Sequence, residues 1–338
     1  MRTERPVVDR LDRPLRDLRI SVTDRCNFRC PYCMPAEVFG KDFVFMPRPE
    51  ILTFEEITRF ARVAAGFGVT KIRLTGGEPL VRREIERLVA MIATIDGVEI
   101  ALTTNGAALS ARARALRDAG LTRVTVSLDS LDDQVFRALN GVGMPLARVL
   151  GGIGAARDAG FAPIKFNVVV KRGVNDHGLL DLATYGREHG DVVRFIEYMD
   201  VGTTNGWRLD DVVPAAEILE VIDRRFPLEA IDPLYPGEVA RRYRYRDGGG
   251  EIGLIASVSQ PFCQGCTRAR LTSDGRLITC LFAAAGHDVR TLLRTTDDDD
   301  GLTALLTRVW GARADRYSEE RALLSRPGVR VEMSYVGG

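Results

Sequence analysis

Three cysteines in the stretch SVTDRCNFRCPYCMP lie close enough together to bind a metal ion or a metal cluster. Cys26, Cys30 and Cys33 have the spacing C-x3-C-x2-C. Structural zinc sites are almost always completed by four ligands, so three thiolates leave such a site incomplete. An incomplete ligand set instead suits an iron–sulfur cluster that keeps one iron open for another molecule.

A second triad of cysteines lies in the C-terminal part of the chain. Cys263 and Cys266 form C-x2-C, and Cys280 follows across a predicted hairpin. The histidines are His177, His189 and His287. None of them has a customary ligand spacing, so a fourth zinc ligand is not evident. Two four-iron clusters, each held by three thiolates, use all six cysteines, and this interpretation is favoured over structural zinc.

Composition narrows the class of protein. The chain has 338 residues, of which 45% are hydrophobic, and a formal net charge of +1. It can therefore bury a large core, and bulk charge gives no attraction to nucleic acid. The sequence contains no apolar run of the ~18 residues that a membrane span needs and no apolar signal core at its start. We expect a cytoplasmic protein without a nucleic-acid or membrane partner.

Alternating strand and helix signals predict an α/β fold. Six β-branched runs read as strands: LRISVT, VTKIRLT, VEIALTT, RVTVSLD, IKFNVVV and VVRFIEYM. Helical segments separate most of them, and Thr53 with Glu56 predicts a capping box at the start of the first helix. This order predicts a parallel sheet with right-handed crossovers, and six strands are too few to close an eight-stranded barrel.

The pattern changes after about residue 200. RRYRYRDGGGEIGLIAS and ARLTSDGRLITCLF predict hairpins, the second turning at Asp274 and Gly275. We therefore expect residues 1–200 to form one unit and residues 201–338 a smaller α+β layer. The final VRVEMSYV alternates apolar residues and predicts either another strand or a segment packed on the barrel.

Two motifs together resemble the radical S-adenosylmethionine superfamily. CNFRCPYC is similar to its cysteine signature, including Tyr32 before the last cysteine, and RLTGGEP is similar to its GGEP motif. Alone, GGEP would be an ordinary βα loop with a proline at a helix start. The resemblance implies that S-adenosylmethionine chelates the open iron and is cleaved by one electron to a 5′-deoxyadenosyl radical.

The second triad, the stretch CTRARL and the ending YVGG resemble the GTP 3′,8-cyclase family of molybdenum cofactor biosynthesis. That resemblance implies an incomplete six-stranded βα (TIM-like) barrel with a C-terminal α+β extension covering its open side. It also implies conversion of GTP to 3′,8-cyclo-7,8-dihydro-GTP, which passes to cyclic pyranopterin monophosphate synthase. A reductant such as flavodoxin or ferredoxin and a homodimer are implied as well.

The same resemblance assigns roles to individual residues. Each triad is expected to hold one [4Fe-4S] cluster. The expected contacts of S-adenosylmethionine are Tyr32, Gly77, Glu78, Ser127 and Met199. The expected contacts of GTP are Arg19, Arg73, Thr104, Lys165, Arg268, Ala269 and Arg270. Arg19 and the terminal pair Gly337 and Gly338 are expected to act in catalysis.

Elementary geometry supports part of this assignment and leaves two alternatives. Arg268 and Arg270 alternate in a predicted strand and share a face, as Lys165 does with Asn167. Arginine binds phosphate through two parallel hydrogen bonds, which suits a triphosphate held by side chains.

One alternative is a radical enzyme acting on a peptide or another nucleotide. The other is an iron–sulfur carrier or a zinc protein without catalytic activity.

Overall fold

A computed structural model describes residues 7–321 and 330–336 of the chain. Within these ranges the strands are β1 (Asp17–Ser21), β2 (Lys71–Thr75), β3 (Glu99–Thr104), β4 (Arg123–Ser127), β5 (Lys165–Val170), β6 (Val192–Glu197), β7 (Leu228–Ile231), β8 (Arg241–Tyr245), β9 (Glu251–Ile255), β10 (Arg268–Leu271), β11 (Arg276–Ile278) and β12 (His287–Asp288). The helices are α1 (Phe54–Phe67), α2 (Ile85–Ala93), α3 (Ala113–Asp118), α4 (Asp133–Asn140), α5 (Leu146–Asp158), α6 (Leu179–His189), α7 (Ala215–Arg225), α8 (Arg290–Thr295), α9 (Asp300–Gly311), α10 (Tyr317–Glu320) and α11 (Met333–Val336).

The strands form one sheet in the order β12-β11-β10-β1-β2-β3-β4-β5-β6-β9-β8-β7. The six predicted strands β1 to β6 are parallel and consecutive, which confirms the open α/β sheet. The C-terminal strands continue this sheet rather than forming a second layer. β10 pairs in parallel with β1, and β9 pairs in parallel with β6.

Both predicted hairpins are confirmed, and they lie on opposite edges of the six-stranded sheet. β8 and β9 form one antiparallel pair, and β10 and β11 form the other. An open sheet leaves unpaired N–H and C=O groups along its first and last strands. The hairpins satisfy those groups on β1 and β6, which explains why the extension divides between the two edges.

Helix α1 shows how local sequence fixes an element. Thr53 Oγ1 accepts a hydrogen bond from the backbone N–H of Glu56 at 3.1 Å, and Glu56 accepts one from the backbone of Thr53 at 2.7 Å. This is the predicted capping box. The helix buries Ile57 and Phe60 in the main hydrophobic core, which lies between the sheet and the surrounding helices.

Alternation along the strands separates an apolar face from a polar one. Leu18 and Ile20 of β1 belong to the hydrophobic core, whereas Asp17 and Arg19 line an internal cavity. Successive side chains of a strand point to opposite faces, so this parity repeats along the sheet. The helices therefore cover the apolar face, and the polar face encloses the interior.

The last described residues do not add a strand. Met333–Val336 forms the short helix α11, so the strand interpretation of this stretch is wrong. The packing interpretation is confirmed, because Val336 is fully buried. In the described part of the chain, every helix is too short or too polar to cross a membrane.

Gly141 should be required for the position of the first cysteine loop. It has a φ of 66°, and an added Cβ would lie 2.0 Å from the carbonyl oxygen of Arg29. Gly141→Ala should destabilise the metal-free protein by about 2–4 kcal/mol, roughly 1 for the left-handed backbone and the rest for the overlap. Urea denaturation of the metal-free protein measures this free energy.

Gly97 provides the matched control. Its φ is 74°, but an added Cβ would meet no atom within 4 Å. Gly97→Ala should therefore show only the backbone cost of about 1 kcal/mol. Equal destabilisation by both substitutions would show that the contact with Arg29 is not limiting.

Candidate functional site

The first cysteine triad lies at the carboxyl ends of the parallel strands. Here the loops after β1, β2, β3, β4 and β6 surround a cavity of about 1060 Å³, open mouth included, which we call the first-triad cavity. The predicted residues that line it are Cys26, Cys30, Cys33, Tyr32, Gly77, Glu78, Thr104, Ser127 and Met199. The structure thus brings together every residue predicted to contact S-adenosylmethionine.

Gly77 lets two of these loops approach each other. A Cβ on this residue would lie 2.2 Å from the carbonyl oxygen of Arg25, which directly precedes the cysteine motif. The backbone N–H groups of Gly77 and Glu78 donate to the carbonyls of Thr23 and Arg25, each at 2.8 Å. The GGEP loop is therefore held against the cysteine loop by backbone contacts that any larger residue would prevent.

Glu78 is a buried acid that links the loop after β2 to the end of β3. Its carboxylate accepts hydrogen bonds from Thr104 Oγ1 at 2.7 Å and from the backbone N–H of Asn105 at 2.7 Å. Burial raises its pKa to about 7, although these hydrogen bonds act in the opposite direction. Asn105 in turn places its amide near Cys26 Sγ, at 3.9 Å. The acid therefore fixes the floor of the first-triad cavity.

Asp129 is a site residue that the sequence analysis missed. Its carboxylate accepts a hydrogen bond from Tyr32 Oη at 2.5 Å and another from the backbone of Val169 at 2.9 Å. Burial raises its pKa to about 6. The sequence could have indicated this residue, because Asp129 comes just after β4 and close to Ser127. Side chains at the carboxyl ends of parallel strands meet at one edge of the sheet.

The second cysteine triad lines another cavity, of about 1360 Å³ with its open mouth, which we call the second-triad cavity. It lies toward the amino ends of the strands and is strongly cationic. Its basic residues, apart from Arg313, are Arg19, Lys71, Arg73, Arg123, Lys165, Arg194, Arg268 and Arg270. Five of them were predicted to hold GTP, and Lys71, Arg123 and Arg194 were missed.

Crowding and burial make these cations ready to bind an anion. Burial, with Arg270 close by, lowers the pKa of Arg19 well below its usual range. Burial and the neighbouring Arg73 lower the pKa of Arg194 to about 9. The Nε atoms of Arg19, Arg194 and Arg268 are buried without a hydrogen-bond partner among the described residues. Unpaired buried donors are costly, so this cavity is suited to a polyanion.

The two lysines respond to the same environment. Burial and Arg73 lower the pKa of Lys71 to about 8. Burial and Arg194 lower the pKa of Lys165 to about 8. Both lysines thus begin to lose their charge slightly above neutral pH, unless a bound anion favours the protonated form.

Two residues predicted to contact GTP lie elsewhere. Thr104 lines the first-triad cavity and donates to Glu78, away from the arginines. Ala269 is fully buried in the hydrophobic core, whereas Arg268 and Arg270 on either side line the cavity. Alternation along a strand could have identified a missed cation, because Lys71 lies two positions before Arg73 in β2 and therefore on the same face.

The two cavities adjoin each other on the inner face of the sheet. Residues that line both of them are Thr103, Asn167, Ile196, Met199 and Met333. A molecule bound at the first triad and one bound at the second can therefore touch at this junction without crossing solvent.

The C-terminal segment contributes one wall of the junction. Met333 lines both cavities, and Glu332 accepts hydrogen bonds from the hydroxyls of Thr203 and Thr204 at 2.9 and 2.8 Å. Gly337 and Gly338, predicted to act in catalysis, lie outside the described residues. The described segment therefore belongs to the wall of both cavities through Met333.

The donor chemistry of both triads suits iron–sulfur clusters. All six cysteines are free thiols. Among the described residues, no group of three or more His, Cys, Asp or Glu side chains is arranged around a single metal ion. A four-iron cluster binds each thiolate through a different iron, so it does not require such convergence.

The surroundings shift the pKa values of individual cysteines in different directions. Burial raises the pKa of Cys26 to about 11. Burial would also raise the pKa of Cys266, but Arg268 and Arg313 lower it to about 6. Cations beside Cys266 therefore favour the thiolate form that a metal requires.

Sequence comparisons match both parts of the chain. Residues 20–185 match the sequence model of the Radical SAM superfamily, and residues 191–319 match that of Molybdenum Cofactor Synthesis C. The GTP 3′,8-cyclase of Acidothermus cellulolyticus is 55% identical, covering 98% of this chain and 99% of the relative. The GTP 3′,8-cyclase of Staphylococcus carnosus is 48% identical with the same coverage.

Solved structures with the same fold are more distant in sequence. Streptococcus suis SuiB bound to S-adenosylmethionine superposes with a TM-score of 0.63 at 15% identity, covering 91% of this chain and 68% of that one. Native anSMEcpe with bound AdoMet superposes with a TM-score of 0.51 at 16% identity, covering 63% of this chain and 61% of that one. These likenesses concern the fold.

The open parallel sheet, the cysteine loop after its first strand and the matched sequence model define a protein of the radical S-adenosylmethionine superfamily. Sequence identities of 55% and 48% with two cyclases, over 98% of the chain, narrow this class. The chain belongs to the GTP 3′,8-cyclase family.

Inorganic triphosphate should bind the metal-free protein more weakly as pH rises above about 8. Lys71 and Lys165 pair with phosphate only when protonated, and both have pKa values of about 8. Bound phosphate raises those pKa values, so binding above neutral pH should take up protons. Titration calorimetry from pH 7 to 9.5, in buffers of different ionisation enthalpy, measures affinity and proton uptake together.

A pair of charge variants tests the source of that effect. Lys165→Gln should weaken triphosphate binding about ten- to a hundredfold, as expected for one charge-assisted hydrogen bond, and should reduce proton uptake. Lys41→Gln removes the same charge from an exposed loop and should leave affinity unchanged. Similar losses in both variants would indicate an effect of net charge alone.

Proposed function

We propose that this protein converts GTP to 3′,8-cyclo-7,8-dihydro-GTP as a radical S-adenosylmethionine enzyme, in the first step of molybdenum cofactor biosynthesis. One observation carries the proposal: two cysteine triads line two cavities that share a junction inside one sheet. Membership of the GTP 3′,8-cyclase family supports the substrate and product. The peptide-modifying alternative is less suited to an interior lined by nine basic side chains beside the second triad.

The first triad is proposed to hold a [4Fe-4S] cluster and S-adenosylmethionine. When bound, they supply a hydrogen-abstracting radical through one-electron cleavage of the sulfonium. Cys26, Cys30 and Cys33 provide the thiolates. Gly77 brings the GGEP backbone to the cysteine loop, and the buried carboxylate of Glu78 favours a cationic group such as the methionine amine nearby.

Other residues of the first-triad cavity orient rather than react. Ser127 and Met199 line its wall, and Tyr32 is held by its hydrogen bond to Asp129. Thr104 is proposed to contact GTP from the wall of the first-triad cavity, and its hydroxyl donates to the Glu78 carboxylate at 2.7 Å. These hydrogen bonds keep polar groups paired when the cavity excludes water.

The second triad is proposed to hold another [4Fe-4S] cluster, whose open iron receives the guanine. Cys263, Cys266 and Cys280 provide the thiolates. The basic residues proposed to hold the triphosphate are Arg19, Lys71, Arg73, Lys165, Arg194, Arg268 and Arg270. The buried Nε atoms of Arg19, Arg194 and Arg268, which have no hydrogen-bond partner among the described residues, support an anionic ligand, as do the lowered pKa values of Arg19 and Arg194. Ala269 can take part only through its backbone, because its side chain is in the core.

The junction is where the reacting atoms are proposed to meet. GTP anchored at the second triad places its ribose near Met199 and Met333, which line both cavities. Hydrogen transfer from C3′ needs direct contact with the radical, and attack of C3′ on C8 needs the ribose held against the base. The protein therefore contributes positioning and exclusion of water, while the cofactors supply the chemistry.

The chain end is proposed to complete the active site. Gly337 and Gly338 follow a segment tied to the barrel by Glu332, and a pair of residues without side chains suits a crowded site. Together with Arg19 they are proposed to act in catalysis.

Further features of the proposal rest on family resemblance. The electron donor would be a reductant such as flavodoxin or ferredoxin, and the product would pass to cyclic pyranopterin monophosphate synthase. A homodimer is proposed on the same basis. A location in the cytoplasm suits an enzyme with six free thiols and oxygen-sensitive clusters. The division into residues 1–200 and 201–338 likewise stays a prediction.

Selective loss of each triad should separate the two halves of the reaction. Anaerobic reconstitution should give roughly eight iron atoms per chain, from two four-iron clusters. Changing Cys26, Cys30 and Cys33 to Ala should halve the iron and abolish 5′-deoxyadenosine. Changing Cys263, Cys266 and Cys280 to Ala should also halve the iron, but should leave weak 5′-deoxyadenosine formation without cyclised product.

Iron and sulfide analysis with chromatography of the nucleosides measures both effects. About one zinc and no sulfide per chain would contradict the proposal. Normal cyclisation of GTP by the second variant would remove the role assigned to the second triad, while leaving that of the first.

Removal of Gly337 and Gly338, or Gly338→Ala, should lower the yield of cyclised product more than tenfold in a single turnover. Iron content should stay within experimental error of the unaltered protein, because neither residue belongs to a triad. Small displacements of reacting atoms cost about a hundredfold in rate, which is the physical reason for the loss. A truncated protein with full product yield would show that the terminal pair has no catalytic role.

A further inference from the structure

A buried carboxylate lies behind the second cysteine triad, in the segment that precedes β1. Asp9 is only 4% exposed. Its Oδ2 accepts hydrogen bonds from Arg13 Nε at 2.6 Å and from a terminal nitrogen of Arg313 at 3.2 Å. Its Oδ1 accepts from the backbone N–H groups of Leu11 and Arg13 at 2.9 and 3.0 Å. Both oxygens are therefore occupied, and the side chain has no contact with either cavity.

The two arginines extend from this carboxylate to the cysteine loop. A terminal nitrogen of Arg13 donates to the carbonyl oxygen of Cys263 at 2.6 Å. A terminal nitrogen of Arg313 donates to the carbonyl oxygen of Cys266 at 2.7 Å. One acid thus holds two guanidinium groups, and each guanidinium holds the backbone of one cysteine of the C-x2-C pair.

The rest of the network makes this arrangement rigid. Trp310 donates from Nε1 to the carbonyl of Arg13 at 2.9 Å, and the guanidinium of Arg313 lies 4.6 Å from the centre of the Trp310 ring. Arg13 and Arg313 are 2% and 4% exposed, so neither guanidinium can turn to bulk solvent. The short loop itself contributes one backbone hydrogen bond, from Cys266 to Cys263 at 3.1 Å.

We propose that Asp9 is a positioning residue for the second cluster, acting through Arg13 and Arg313 on the loop of Cys263 and Cys266. The inference rests on the proposed second cluster. Partners that orient the ligands of a metal site commonly change its metal affinity about ten- to a hundredfold, so groups that fix the spacing of three thiolates should affect how well they hold a cluster. Cys266 and Cys280 each lie two residues from a strand, β10 and β11, whereas Cys263 lies farther from the sheet. Besides a hydrogen bond from the backbone of Gln264 to Glu319 at 3.2 Å, the two carbonyl contacts that Asp9 supports hold this loop.

The test is Asp9→Asn, which keeps the size of the side chain and removes its charge. After anaerobic reconstitution, iron should fall from roughly eight to about four atoms per chain. The electron paramagnetic resonance spectrum of the reduced protein should lose the component that changes on addition of GTP. Formation of 5′-deoxyadenosine should persist, as in the variant that lacks the second triad.

Asp191→Asn is the matched control. Asp191 is 5% exposed and accepts hydrogen bonds from Arg157 at 2.5 Å and from the backbone of Ile164 at 2.8 Å, remote from both triads. This substitution removes the charge of a buried carboxylate that is paired with an arginine, so it should lower the melting temperature of the metal-free protein, as Asp9→Asn does. It should keep roughly eight iron atoms and the response to GTP.

Arg13→Lys is the second variant, used if Asp9→Asn does not fold. Lysine keeps the charge but lacks the fork that joins Asp9 to Cys263, so at least half of the GTP-responsive signal should be lost. Full iron and an unchanged GTP response in the variants would overturn the inference, as would equal iron loss in Asp191→Asn. If the unaltered protein itself binds only about four iron atoms, the proposed second cluster fails first.

Discussion

Positive charge confined inside the sheet is the constraint on which the rest of the structure depends. Arg19, Arg73 and Arg270 lie among other cations on the inner face, where burial strengthens their mutual repulsion. Such an interior needs a rigid wall, and the continuous hydrogen-bonded strands with an apolar outer core provide one. Asp17 offsets part of the repulsion, and a bound anion would offset more of it. The stability of the cavity and the proposed affinity for a triphosphate therefore have the same electrostatic origin.

Strand direction explains why the two triads lie at opposite ends of this interior. The first triad follows β1, so its loop begins at the carboxyl ends of the parallel strands. The second triad is placed by β10, which runs parallel to β1 with Arg268 beside Asp17. Cys266 precedes β10 and Cys280 follows the antiparallel β11, so both lie near the amino ends. Parallel pairing of an edge strand therefore separates the two triads within one sheet.

The sequence predicted those elements whose pattern is local. Runs of β-branched residues identified β1 to β6, and turn residues identified both hairpins. Alternation of side chains within a strand correctly placed Lys165, Arg268 and Arg270 on the face that lines the second-triad cavity. The same alternation applied to β2 and β6 would have found Lys71 and Arg194, but an arginine-rich composition hid the signal. Thr104 lines the first-triad cavity and the side chain of Ala269 lies in the core, so their contacts with GTP stay predictions, because resemblance assigns roles to positions and not to the direction of a side chain.

Contacts between distant segments could not be read from the sequence. Asp9 and Arg313 are separated by most of the chain, and their pairing depends on α9 packing beside the segment before β1. The wall at the junction has the same character. Met199 follows β6, whereas Met333 belongs to α11, and Glu332 ties the second segment to the threonines just beyond the first. Because hydrogen transfer needs atoms in contact, the junction must be closed by residues that hold one another in place. Met333 thus lines the same junction as Thr103 of β3, and only the folded sheet brings these two distant parts of the sequence together.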